Sequence, residues 1–185
     1  MELKNPRPTP APSSRTTVVR FLVWFLLLLV VLSVAVSILF GQFPAASASL
    51  LAATARLVGV TASLVCDDVS VAGDLVTHRN FSIRVVGECT GLVEIVIFLA
   101  AVLAFPTSVA RRAVGAVAGS VVIVAANIVR MVTLLIIGSS SQYWFDVAHY
   151  YAYQVSMILL IVATWLTWFY FAVLGKWKKP GAVPA

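Results

Sequence analysis

The sequence predicts an all-α integral membrane protein: a four-span helical bundle with an outer interfacial helix and a small β-hairpin. Three observations predict it. Of 185 residues, 61% are hydrophobic and only 11% are charged, whereas about a quarter of a soluble domain is ordinarily charged. The mean hydropathy is +1.01. Residues 21–40 form an apolar run free of charge, and about twenty such residues cross a hydrocarbon core of about 30 Å. The length suits one compact bundle with no separate soluble module. The formal charge of +6 does not point to nucleic acid, because the Lys and Arg residues cluster beside apolar runs, where they orient a protein in the bilayer.

Residues 1–17 hold Pro6, Pro8, Pro10 and Pro12 among polar and basic residues, a composition too poor in apolar surface to fold alone. They are expected to form a disordered basic cytoplasmic tail. The run at 21–40 is too long for a signal-peptide core and no small-residue cleavage site follows closely, so it reads as a retained span. Further spans are expected at 91–105, 113–137 and 150–174, the first being short enough to need flanking residues or an interior position. The transmembrane domain is thus placed at 18–175, with a second basic tail at 176–185. Residues 45–65, rich in Ala with Arg56 as their only charge, read either as a fifth span or as an interfacial helix.

Charge decides between those two. With four spans, Lys4, Arg7, Arg15, Arg20, Arg111, Arg112, Lys176, Lys178 and Lys179 fall on one side, nine of the thirteen basic residues. Six of the seven acids, Asp67, Asp68, Asp74, Glu88, Glu94 and Asp146, fall with the remaining four arginines on the other. Cytoplasmic flanks carry the excess of Lys and Arg. A fifth span would move Arg111, Arg112 and the C-terminal lysines outside, so 45–65 is expected to lie on the outer face. Both termini are then cytoplasmic, in a multi-pass protein of the cell membrane. After that helix, Val69 and Val71, then Phe81, Ile83 and Val85, alternate with other residues around Gly73-Asp74, as a hairpin does. His78 is expected in its exposed loop.

Cys66 and Cys89 are the only cysteines and form one disulfide or none. Zinc-ligand spacing, a P-loop and a dinucleotide fingerprint are all missing, so no metal and no cofactor is expected.

Three reactive side chains stand out in this apolar background. Cys89, in Glu88-Cys89-Thr90-Gly91, lies where the outer loop enters the second span, and a helix N-terminus favours the nucleophilic thiolate. Gly91 permits a sharp turn or a close backbone approach. Taken alone, Cys89 reads more readily as a buried membrane cysteine. Arg130, in Asn127-Ile128-Val129-Arg130, interrupts an apolar span where a charge costs about 3 kcal/mol, so it should face the interior or a cavity. Glu94 falls at similar depth and is its natural ion-pair partner. Alternatively, Arg130 stabilises a thiolate or an oxyanion, and with five donors it can do both. Asn127 shares its helix face and either orients Arg130 or a substrate carbonyl or acts as interhelical glue. His149 opens the last span with Asp146 three residues before it, so it can serve as a base whose tautomer Asp146 sets, or as part of an interfacial aromatic belt.

At these residues the chain resembles the exosortase and archaeosortase family of membrane cysteine transpeptidases, which carry a Cys before a small residue and Gly, an Asn-x-x-Arg, and a later His or Arg. With Val102-Leu103-Ala104-Phe105-Pro106 and Phe145-Asp146-Val147-Ala148-His149, it is most similar to the compact exosortase H type. Thr90 departs from the commoner Ser, Ala or Asn. The resemblance implies cleavage of a C-terminal sorting signal (a short motif, a transmembrane helix and a basic tail) from secreted proteins at the outer face, then transfer to an acceptor. It implies Cys89 as nucleophile, Arg130 as thiolate and oxyanion partner and His149 as general acid and base, with Asn127, Glu94, Asp146 and Gly91 in support. The expected partners are that signal and membrane lipids, with no nucleic acid. The substrate's helix would pack laterally, and Gly115, Ala116, Ala118 and Gly119 allow close approach either to it or among the protein's own spans. Two other readings stand beside this one: a cysteine hydrolase without transfer, and a non-catalytic scaffold or transporter subunit held by a structural Arg130–Glu94 pair.

Overall fold

The computed structural model describes residues 14–174; residues 1–13 of the expected N-terminal tail and the whole of the expected C-terminal tail lie outside them. Six α-helices and one small sheet follow in the order α1 (Ser14–Gln42), α2 (Pro44–Ala62), β1 (Val69–Ala72), β2 (Leu75–His78), β3 (Phe81–Arg84), α3 (Leu92–Ala104), α4 (Val109–Ser140), α5 (Gln142–Val147) and α6 (Tyr153–Phe169). The first helix begins four residues inside the segment assigned to the tail, because Ser14–Thr17 join the helix that the apolar run propagates.

Local chemistry explains the breaks. Phe43 leaves helical geometry and Pro44 opens α2, a position where its missing N–H costs nothing. Pro106 closes α3 by holding Phe105 extended at φ −73° and ψ 131°, the conformation a following proline favours. Between α4 and α5, Ser141 is extended and its hydroxyl accepts the Trp144 N–H at 3.5 Å.

Two clusters of contacts fix the bundle's polarity. At one end Phe21 of α1 meets Phe105 and Trp165 at ring distances of 6.0 and 6.4 Å, and the Trp168 indole N–H bonds to the Arg111 carbonyl at 3.0 Å. The start of α1, the end of α3, the start of α4 and the end of α6 therefore meet. At the other end a core of Ala55, Val58, Ala62, Val76, Val85, Met131, Val132 and Leu135 joins α2, the sheet and the last turns of α4. Four helices thus run end to end in alternating directions, the expected four spans. Their valines and leucines are widely exposed, from Val18 on α1 to Val162 on α6, a surface tolerable only against lipid.

Length and composition would qualify α2, at 19 residues, for crossing a bilayer and leave α3, at 13, too short. Connectivity says otherwise. Both ends of α2 lie at the Cys89 end, since it starts where α1 stops and its last turn packs on the sheet. It caps the bundle, as an interfacial helix does. By contrast α3, about 20 Å long, joins the two ends while enclosed by α1, α4 and α6.

The sheet is antiparallel with strand order β1-β2-β3. Both expected strands and the Gly73-Asp74 turn are present, but the strands do not pair with each other: a middle strand, Leu75–His78, lies between them. It pairs Val76 with both Val71 and Ile83. Two-residue turns at Gly73-Asp74 and Arg79-Asn80 close the ladder, with φ of 63° at Gly73 and 52° at Arg79. His78 is correspondingly not an exposed loop residue. It ends β2, is 4% exposed, and its Nδ1 has no partner among the described residues.

Candidate active site

Cys89 sits in a short 3₁₀ turn, Gly87–Thr90, between the sheet and α3. Its N–H bonds to the Val86 carbonyl at 2.9 Å, and the Thr90 hydroxyl donates to the Gly87 carbonyl at 2.7 Å. Gly91 then takes φ 78°, a left-handed conformation that costs other residues about 1–2 kcal/mol. A Cβ there would meet the Asn127 side chain at 3.4 Å, an ordinary van der Waals contact. The backbone angle is what calls for glycine.

Asn127 is 1% exposed, its Nδ2 donates to the Cys89 carbonyl at 2.7 Å, and its Oδ1 accepts from Arg130 Nη1 at 3.4 Å. One amide therefore ties the cysteine turn to the arginine across 38 residues of sequence. Arg130 is otherwise loosely held. Its Nη1 lies 4.0 Å from Glu94 Oε1, the side chains being 14% and 15% exposed, while Arg130 Nε and Glu94 Oε2 have no hydrogen-bond partner among the described residues. A structural pair built for stability would close bidentately. This one leaves donors unspent.

His149 lies in a π-helical segment, Ala148–Ala152, between α5 and α6, a helix irregularity frequent at functional sites. Its ring stacks on Phe145 at 5.5 Å and 7° and meets Tyr150 edge-on at 5.2 Å. Asp146 does not orient it. That carboxylate is exposed and accepts the Gln142 amide at 3.0 Å, and His149 Nδ1 has no partner among the described residues. The Asp146 carboxylate is instead engaged within α5, by the side chain at that helix's first residue. The aromatic stack takes over the orienting role, and Phe145 is the residue sequence reasoning missed; its position four before His149 was the available signal.

Two clefts open beside these groups. The first, about 550 Å³, descends between α3 and α6 past Val93, Ile97, Ile158 and Ile161. The second, about 430 Å³, runs between β3 and α5 past Phe81, Ser82, Arg84 and Phe145. Four residues line both: Val86, Cys89, Arg130 and His149. A larger cavity of about 670 Å³ lies at the opposite end beside Arg20 and Arg112, and its wall holds neither cysteine nor histidine. Cys66 and Cys89 are both free thiols, so the disulfide alternative falls away. No group of three potential metal ligands occurs among the described residues.

Gly115 and Gly119 of α4 serve the protein's own packing, while Ala118 is exposed. A Cβ on Gly115 would overlap the Trp168 indole, and one on Gly119 would overlap the Phe98 ring.

A four-span bundle with a thiol, a guanidinium and an imidazole on the shared wall of two clefts defines a polytopic membrane protein with a candidate cysteine site. The family model for transmembrane exosortases matches residues 15–169, and the chain belongs to that family. Neither the curated proteins nor the solved structures give a significant match.

Proposed function

We propose that this exosortase is a membrane-embedded cysteine transpeptidase that cleaves C-terminal sorting signals of secreted proteins at the extracytoplasmic face and transfers them to an acceptor. One observation carries the reading: of the four residues common to both clefts, three are Cys89, Arg130 and His149. A polypeptide passing from one cleft to the other must cross all three. The apolar α3/α6 cleft suits the substrate's transmembrane helix, and the β3/α5 cleft suits the polypeptide preceding it.

The chemistry follows from the side chains. His149 takes the proton of the Cys89 thiol, and the sulfur attacks the scissile carbonyl carbon. Arg130, with donors left over from Asn127 and Glu94, stabilises the oxyanion. Collapse expels the amine, which receives the proton from His149, and leaves a thioester on Cys89. An acceptor amine or alcohol, deprotonated by His149, attacks that thioester and restores the thiol; water in its place gives hydrolysis. The charge distribution supports the orientation. Arg15, Arg20, Arg111 and Arg112 crowd one end while Asp67, Asp68, Asp74, Glu88 and Asp146 lie at the Cys89 end, a distribution that favours an outer position for the Cys89 end.

Co-expression with a secreted protein bearing a C-terminal helix and basic tail tests this. Wild type should process the reporter and yield a thioester-linked adduct at Cys89, and Cys89→Ala should insert normally yet process nothing. Normal processing by Cys89→Ala would exclude covalent catalysis here. Failure of Cys89 to react with membrane-impermeant thiol reagents added outside, while Cys66 does, would favour the scaffold held by Arg130 and Glu94.

A further inference from the structure

The sheet has a free edge that leads to the nucleophile. β3 pairs only with β2, and the β2–β3 turn closes on His78 and Phe81. Antiparallel ladders alternate bonded and non-bonded pairs, and Val85 N–H donates to Asp74 O at 2.8 Å. Phe81, Ile83 and Val85 therefore spend their backbone groups on β2, while Ser82 and Arg84 direct theirs away from it. That edge borders the β3/α5 cleft, all four β3 residues being in its wall. It continues through Val86, which is extended at φ −112° and ψ 174°, and ends at the turn holding Cys89. The other edge strand, β1, borders neither cleft.

The side chains leave this edge open for backbone recognition. Phe81 and Ile83 pack toward the core. On the opposite face the Ser82 hydroxyl is engaged with Thr77 at 2.8 Å, and the Arg84 guanidinium with Asp74 at 3.1 Å.

We propose that the substrate segment preceding the scissile bond docks as a fourth strand on β3, bonding to the outward backbone groups of Ser82 and Arg84 and delivering its carbonyl to Cys89. An exposed sheet edge recognises an extended peptide through main-chain hydrogen bonds, and an unpaired edge is a template for such pairing. The occupant must be extended polypeptide continuous with the bond being cut, because the groove ends on the shared wall of the two clefts. The proposal rests on Cys89 being the nucleophile, as proposed above.

Alkylation of the full chain in detergent, followed by mass spectrometry of Cys89, tests it with five reagents. These are iodoacetamide, an acetyl-alanine vinyl sulfone, an acetyl-tetra-alanine vinyl sulfone, and the tetra-alanine reagent N-methylated at alternate residues in either register. The tetrapeptide should label Cys89 at least tenfold faster than the single residue. One N-methyl register should abolish that gain and the other preserve it, because alternate amides of a strand face opposite ways. Ser82→Pro, which removes an outward N–H at an edge position that tolerates proline, should abolish the gain and leave iodoacetamide labelling unchanged. Ser82→Ala should keep both. Equal rates for long and short reagents, indifference to N-methyl register, or a full gain in Ser82→Pro would overturn the docking mode while leaving Cys89 a nucleophile. A Cys89 inert to iodoacetamide as well would instead bring down the catalytic reading, and this proposal with it.

Discussion

Asn127→Asp separates the two duties of the amide at the centre of the site. The substitution preserves shape and keeps an oxygen for Arg130, 3.4 Å away, but turns an acceptor toward the Cys89 carbonyl, where a donor now sits at 2.7 Å. Interhelical side-chain hydrogen bonds in membrane bundles contribute about 0.6 kcal/mol on average. Glue of that kind would make this variant nearly silent. Removing one partner of a buried bond and orphaning the other costs about 1–3 kcal/mol, and Asn127 is 1% exposed, so water cannot replace it. About 2 kcal/mol expressed in the transition state is about a 30-fold loss of rate. Processing of a sorting-signal reporter in proteoliposomes should therefore fall by about that factor, together with a lower unfolding midpoint in detergent. Rates within about threefold of wild type and an unchanged midpoint would refute the idea that this bond positions the cysteine turn.

Gly91→Ala should lose about 1–2 kcal/mol of stability from its left-handed φ of 78° and reduce processing by disturbing the turn that carries Cys89; thermal unfolding and the reporter assay measure the two. Arg130→Lys should reduce processing at least tenfold because an ammonium lacks the guanidinium fork, whereas Glu94→Gln, which loses only a 4.0 Å contact, should cost less than about threefold in the same assay. Gly115→Ala, far from the site, should cost about 1–3 kcal/mol by overpacking against Trp168 while the detergent-solubilised protein that remains folded cleaves normally.

Much of the fold was legible because membrane constraints are one-dimensional. Each span must satisfy its own backbone, so length and hydropathy alone reveal it, and the clustering of Arg111 and Arg112 between two apolar runs sets the alternation. Residues 45–65 show the limit of that signal: α2 has the length to cross, and only the packing of Ala55, Val58 and Ala62 against the sheet and α4 keeps it at the bundle's end. The middle strand Leu75–His78 lacked a signal because four residues in a polar loop carry too little alternation to register.

Among the site residues, charge and polarity in an apolar chain exposed Cys89, Arg130, Asn127 and His149, since such groups inside a span are costly and seldom idle. Sequence by itself determined that these groups exist, on which spans they ride and roughly how deep they sit. Tertiary structure alone decided that Asn127 reaches the Cys89 carbonyl, that Phe145 rather than Asp146 holds the imidazole, and that two clefts share one wall. The reason is physical: depth follows from counting residues along a helix, whereas rotation and contact across 38 residues depend on how side chains such as Phe98 and Trp168 fill the space beside Gly119 and Gly115.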